Sequence, residues 1–74
     1  MTKLKRLLED KRIDIGVNKV DFANKYLKIA YQTYQTLLGE NKDIHNIQMD
    51  TLNKVSSYLS ISNAELFRLA NEEE

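Results

Sequence analysis

The segment "KIAYQTYQTLLGE", residues 28–40, has the side chains best suited to contacting a polar partner. It carries no charge between Lys28 and Glu40, but every residue from 31 to 36 is Tyr, Gln or Thr. Their hydroxyls and amides both donate and accept hydrogen bonds. Exposed helix faces normally carry charged residues. The stretch is therefore the first candidate for a binding face, although Gln and Thr are also ordinary surface residues.

Side chains for catalysis or metal binding are nearly absent from the sequence. It contains no Cys and a single His, His45, which lies in the polar stretch "ENKDIHNIQ" and is expected to be solvated. There is no Gly-rich phosphate loop, and no base is placed near any of the serines at positions 56, 57, 60 and 62. We predict that the protein is not an enzyme and binds no metal or cofactor.

The chain of 74 residues is long enough for one domain, so we expect a single domain over residues 1–74. No apolar run approaches the ~20 residues needed to span a bilayer. The basic start "MTKLKRLLEDKR" lacks the apolar core of a secretory signal. These features favour a cytoplasmic protein without a membrane partner.

The formal net charge of zero conceals an uneven distribution. Residues 1–28 contain eight basic and four acidic residues, whereas residues 62–74 contain one basic and four acidic residues. The last four residues, 71–74, form the acidic tail "NEEE". A polyanion would therefore be attracted to one side of the molecule only.

Apolar residues recur at helical spacing along almost the whole chain, and no stretch alternates as a strand would. We predict an all-α domain of about five short helices around one core. A first helix carries Leu4, Leu7 and Leu8, is capped by Thr2 and fades near Ile13. Gly16 then breaks it in a left-handed conformation.

Asn18 is the expected cap of a second helix, with Asp21 in its first turn. Val20, Ala23 and Leu27 should share its apolar face, with Phe22 and Tyr26 beside it. A third helix should run from near Ala30 to Gly39. Its inward residues would be Tyr34, Leu37 and Leu38, and its outward residues Tyr31, Gln32, Gln35 and Thr36.

A fourth helix is predicted over residues 49–59. "SNAE" then indicates a capping box in which Ser62 faces Glu65 and opens a fifth helix. The expected core comprises Leu7, Ala23, Leu37, Leu52, Val55 and Leu59. The fifth helix bears Leu66, Phe67, Leu69 and Ala70, which either close this core or contribute to a homodimer interface.

The order of these helices is that of a helix-turn-helix domain. "FANKYLKIAYQTYQTLLGE" and "MDTLNKVSSYLSIS" with "NAELF" resemble the Cro and phage-repressor (XRE) family, whose fold is lambda-repressor-like. The resemblance covers about residues 4–69. This chain departs from the family in lacking Gly in the turn, where Leu27 or Lys28 falls. Its spacing from helix 2 to helix 3 is one residue longer. The loop from Gly39 to Met49 is also longer than usual in the family and lacks the common basic and Pro residues.

The resemblance implies a transcriptional regulator of phage or mobile-element type that places helix 3 in the major groove of operator DNA. Gln can pair with adenine, and Thr or Tyr carbons can pack on a thymine methyl. The implied base-reading residues are Tyr31, Gln32, Thr33, Gln35 and Thr36. Lys19, Lys25, Lys28 and Lys42 would contact phosphates. Tyr34 is expected in the core instead.

In a second interpretation, the same surface binds a protein partner. Interfaces are enriched in Tyr and depleted of charge at their centres. Small phage proteins of similar fold act as antirepressors that bind a partner repressor and block its DNA-reading surface. The first interpretation implies a homodimer whose partner is double-stranded DNA. The second implies a repressor protein as the partner. Leu66, Phe67 and Leu69 are the expected dimer or partner contacts.

Overall fold

The computed structural model describes residues 1–39 and 47–74. This part of the chain is mostly helical, as predicted, and contains no strand beyond one isolated bridge between Thr2 and Glu73. Helix α1 spans Lys3–Ile15, and α2 begins at Lys19–Asp21 and continues as a π-helix over Phe22–Leu27. Helix α3 spans Tyr31–Leu37, α4 Met49–Leu59 and α5 Asn63–Asn71. The predicted polar loop, with Lys42 and His45, lies largely outside the described residues.

Three helices begin at the predicted capping side chains. Thr2, Asn18 and Ser62 accept hydrogen bonds from backbone N–H groups three residues later, at 3.1, 2.8 and 3.1 Å. These bonds satisfy N–H groups that have no partner inside the helix. Of the predicted capping box, the serine half is confirmed. The Glu65 carboxylate instead pairs with Arg68.

Three helices end on a residue in the left-handed conformation: Gly16 at φ 82°, Lys28 at φ 59° and Ser60 at φ 60°. A β-branched apolar residue follows each, namely Val17, Ile29 or Ile61. The Ile61 N–H donates to the Ser56 carbonyl five residues back. This is the usual closing bond of a helix C-terminus, with the following apolar side chain packed on the core.

The closing bond of α2 is one residue wider, because the Ile29 N–H donates to the Ala23 carbonyl, six residues back, at 2.9 Å. This widening continues the π-helix, in which residues five apart bond to each other. Phe22 and Leu27 therefore lie on the same buried side.

The core lies between all five helices and contains 13 buried apolar residues within the described chain. Five of the six predicted core residues are buried: Ala23, Leu37, Leu52, Val55 and Leu59. Leu7 is only half-buried. The prediction for Val20 is also wrong, since its side chain is 45% exposed, whereas Phe22 is fully buried. Val20 and Phe22 are two residues apart and therefore lie on nearly opposite sides of the helix, so only one of them can face the core.

The two ends of the described chain lie side by side. The Lys3 N–H donates to the Glu72 carbonyl at 2.9 Å, and the Glu74 N–H donates to the Met1 carbonyl at 3.1 Å. The first turn of α1 contains no acidic residue. Carboxylates are favourable at the positive end of a helix, so the acidic tail supplies charge that α1 itself lacks.

Helix length and hydropathy bear on the expectation that no segment of the chain spans a bilayer. None of the helices in residues 1–39 and 47–74 is sufficiently long and apolar to cross a bilayer.

Candidate functional site

Helix α3 presents a mixed face in which only part of the neutral block reaches solvent. Tyr34 and Leu37 point inward and are buried, as predicted. Gln32 is exposed, whereas Tyr31, Thr33, Gln35 and Thr36 are half-buried. The Tyr31 side chain packs against the edge of the core. The five predicted reading residues therefore share one helix, and Gln32 is the most accessible of them.

One of these side chains is partly committed to its own helix. The Thr36 hydroxyl donates a hydrogen bond of 3.1 Å to the Gln32 carbonyl, one turn earlier. Such a bond competes little with a ligand, because the hydroxyl oxygen can still accept. Thr36 therefore remains an acceptor toward solvent.

Tyr34 ties α3 to the first two helices. Its hydroxyl donates to Oε2 of Glu9 at 3.2 Å. The same carboxylate oxygen accepts a 2.7 Å bond from Nε of Arg12. Arg12 also donates from Nη1 to the Val17 carbonyl at 2.9 Å. Nζ of Lys19, in the first turn of α2, lies 3.6 Å from the other Glu9 oxygen. We call Glu9, Arg12, Lys19 and Tyr34 the polar bridge.

The contacts of the polar bridge shift the pKa values of Glu9 and Tyr34 away from neutral pH. Burial alone would raise the pKa of the Glu9 carboxyl, but the hydrogen bond and charge of Arg12, with Lys19 and the Tyr34 hydroxyl, lower it overall. Burial, then the neighbouring Glu9 charge, raises the pKa of Tyr34 well above its usual range. Tyr34 thus stays a neutral donor and Glu9 a charged acceptor.

An aromatic cluster supports α3 from the side opposite the solvent. The ring of Phe22 meets the rings of Tyr34 and Tyr58 edge-on, with both centroid distances 5.7 Å. Tyr26 lies 6.0 Å from the same ring. Edge-to-face pairs of this kind are favourable beyond their burial. Phe22, from the π-helix, therefore joins α3 to α4.

The four predicted phosphate-binding lysines differ in their charge environment. Lys19 pairs with Glu9, and Lys25 lies 3.8 Å from Asp21 on the exposed surface. Lys28 is exposed, and no ion pair within residues 1–39 and 47–74 involves it. Lys42 lies outside the described residues. Of the three that can be placed, Lys28 is therefore the one whose charge has no acidic partner among the described residues.

Lys54 is a residue that the sequence reasoning missed. It lies on α4, and its Nζ donates to the Lys28 carbonyl at 3.4 Å. The bond brings a second cation to the turn between α2 and α3. A lysine on the outer face of a helix is an ordinary surface residue, so no sequence signal distinguishes Lys54 from other surface charges.

The C-terminal end of α3 opens onto a surface groove of about 270 Å³. Its lining joins α3 to the chain ends and α5: Thr2, Thr36, Leu37, Gly39, Ala70, Asn71 and Glu73. Thr36, a predicted reading residue, therefore shares a groove with Glu73 of the acidic tail.

The predicted contacts on α5 are buried to different degrees. Leu66 is fully buried inside the chain and offers no surface to a partner, which corrects the expectation for this residue. It closes the core between α1, α4 and α5. Phe67 and Leu69 are half-buried and pack on the same core.

No group of three acidic, His or Cys side chains within the described residues is arranged to hold a metal ion. The candidate site therefore consists of hydrogen-bonding side chains and cations. No protein-family model matches the chain, and neither a curated protein nor a solved structure matches it.

Proposed function

We propose that this protein is a helix-turn-helix regulator of transcription that binds double-stranded DNA as a dimer and reads the major groove with α3. The observation that carries the proposal is that the helix bearing the exposed neutral amide of Gln32 begins beside two cations, Lys28 and Lys54. Neither cation has an ion-pair partner within residues 1–39 and 47–74. Neutral hydrogen-bonding groups suit base edges, and cations suit phosphates.

The turn between α2 and α3 supports this assignment. Its first residue, Lys28, has φ 59° and ψ 44°, a conformation that glycine adopts without cost. A lysine bears conformational strain there. Strained residues concentrate where function requires them. A positive charge at this turn provides such a reason.

A second candidate function is the binding and masking of a partner repressor through the same face of α3. Two observations favour it: Lys19 and Lys25 are paired with acidic side chains, and Glu73 lies in the groove beside Thr36. Both features reduce the attraction of this face for phosphate. A protein surface with basic residues would be accommodated more easily.

The deciding experiment is selection of bound duplexes from a randomised DNA pool, followed by anisotropy titration of the enriched sequence. Sequence-specific DNA binding predicts enrichment of a defined site and loss of that preference in Gln32→Ala. Ser57→Ala, an exposed neutral change on α4, is the control. Absence of any enriched sequence would overturn the DNA-reading function.

The partner interpretation is tested separately: if a basic repressor is encoded next to the gene, the protein is titrated against it. Tight association that is lost in Gln32→Ala, together with no enriched DNA sequence, would support masking of a repressor.

A further inference from the structure

The tail glutamates cover a compact cluster of positive charge at the start of α1. Oε1 of Glu72 lies 2.7 Å from Nζ of Lys3. Oε2 of Glu74 lies 3.0 Å from Nη1 of Arg6. Oε2 of Glu73 lies 3.4 Å from the amino group of Met1. We call the amino group, Lys3 and Arg6 the basic cluster.

Each of the three successive tail carboxylates faces one cation of the basic cluster. Glu72 also pairs with Arg68, and Nε of Arg6 also lies 3.6 Å from Asp10. Three adjacent carboxylates held in this way imitate the charge of consecutive phosphates on a nucleic-acid strand. Lys3 and Arg68, by hydrogen bonding, lower the pKa of the Glu72 carboxyl below its usual value. The Glu72 carboxylate is therefore ionised at neutral pH.

The three tail glutamates lie next to the proposed reading face. Glu73 and Thr36 line the same groove, together with Thr2, which lies between Met1 and Lys3 of the basic cluster. A duplex that contacted Thr36 would bring its phosphates close to the tail carboxylates. Like charges at such separations repel each other, whereas the basic cluster attracts phosphate.

We propose that the basic cluster is a second binding surface for DNA phosphates, and that the acidic tail occupies it in the free protein as an internal competitor. The inference depends on the proposed function only for the identity of the polyanion. On DNA the cations exchange carboxylates for phosphates and the tail is displaced. The tail thereby weakens binding to sequences that lack favourable base contacts.

The test uses anisotropy with a duplex of about 20 base pairs and random sequence, over a series of salt concentrations. Glu73→Gln/Glu74→Gln removes two covering charges and keeps the backbone pairing of the chain ends. The matched control is Asp14→Asn/Asp50→Asn, which changes net charge equally at exposed positions outside the cover. Circular dichroism verifies that each variant is folded.

The tail variant is expected to bind about 10-fold more tightly at low salt, and the control at most about 2-fold. Its plot of log K against log salt should be steeper by about 2, since two more phosphates are neutralised. Glu74→Gln alone, which frees only Arg6, should give about half this change in slope.

Lys3→Gln/Arg6→Gln then identifies the cations involved. It should remove about half of the gain in the tail variant, because Arg6 is lost while the amino group that Glu73 covered stays free. It should change the wild type little, because the wild-type cluster is already occupied. Equal gains in the tail variant and the control would overturn the proposal. Equal weakening of the wild type and the tail variant by Lys3→Gln/Arg6→Gln would overturn it as well.

The two proposals fail on different readouts. Sequence-specific reading fails if the randomised pool yields no enriched site. The proposal that the acidic tail masks the basic cluster fails if removing the tail charges leaves the affinity for random duplex unchanged.

Discussion

The hydroxyl of Tyr34 and the carboxylate of Glu9 are 3.2 Å apart, although 25 residues separate them in the chain. This contact joins α3, which bears the candidate binding face, to α1, which bears the basic cluster. Because Tyr34 is fully buried and Glu9 also holds Arg12 and Lys19, the orientation of α3 depends on a few well-defined hydrogen bonds.

Removing the Tyr34 hydroxyl should lower stability measurably. Tyr34→Phe keeps the ring and its contact with Phe22 but leaves Glu9 one donor short. We expect a loss of about 0.5–1.5 kcal/mol in the free energy of unfolding, measured by urea denaturation. Tyr26→Phe, at an exposed position, is the control and should change stability little. A neutral Tyr34→Phe would show that the hydrogen bond contributes nothing net.

The same carboxylate should make stability depend on pH. The folded chain holds the pKa of Glu9 below its ordinary value of 4.5. Its contribution is therefore complete above pH 4.5 and is lost as the pH falls through the lower folded value. Glu9→Gln should reduce stability at pH 7 and make the melting temperature less sensitive to acid. Glu65 and Glu72 also have lowered pKa values, so the comparison is the difference between wild type and variant.

Substituting glycine for Lys28 should stabilise the fold but weaken DNA binding. Glycine adopts the left-handed conformation freely, so Lys28→Gly is expected to gain about 1 kcal/mol. The lost charge should weaken binding to all sequences and flatten the salt dependence by about one phosphate contact. Ser60→Gly, at an equivalent helix end, should raise the melting temperature without affecting binding. Unchanged DNA affinity in Lys28→Gly would remove Lys28 from the interface.

Substitutions of the glutamines and of the lysines around α3 should impair DNA binding in different ways. Gln32→Ala or Gln35→Ala should remove about 1–3 kcal/mol of discrimination between correct and incorrect bases, with random duplex still bound. Lys54→Ala should weaken binding to all DNA sequences alike, as expected for a phosphate contact. Titrations at several salt concentrations separate the two effects. Indistinguishable phenotypes would disprove this division of labour.

Core truncations should follow the observed burial. Leu52 is only 2% exposed, so Leu52→Ala should cost about 2–5 kcal/mol, enough to abolish folding of a small domain. Leu7→Ala, at a half-buried position, should cost less. Thermal melts monitored by circular dichroism compare the two. Equal losses would mean that Leu7 is as important to packing as the central residues.

Much of the helical framework could be predicted because its signals are local. The caps Thr2, Asn18 and Ser62 bond to backbone groups three residues away, within the same short stretch of sequence. The prediction that Val20 lies on the apolar face was wrong because tertiary packing decides which side of α2 is buried. Phe22, and not Val20, lies in the core, where it packs against Tyr34 and Tyr58 from later helices.

The candidate site was less predictable than the framework. The stretch of neutral residues on α3 is visible in the sequence, but the exposure of each side chain depends on how α3 is tilted onto the core. The contact of Lys54 with the Lys28 carbonyl spans 26 residues, and the contact of Lys3 with Glu72 spans 69. No local pattern predicts pairs at such separations.

The π-helical turn in α2 has a consequence for how sequence length varies in this architecture. One residue is accommodated by widening a helical turn, and Lys28 still reaches the left-handed position from which α3 begins. Insertion or deletion of a residue here can therefore be neutral for the placement of α3, without passing through a loop. Residue count between these two helices is a poor measure of their geometry, and the handedness of the residue that ends α2 is a better one.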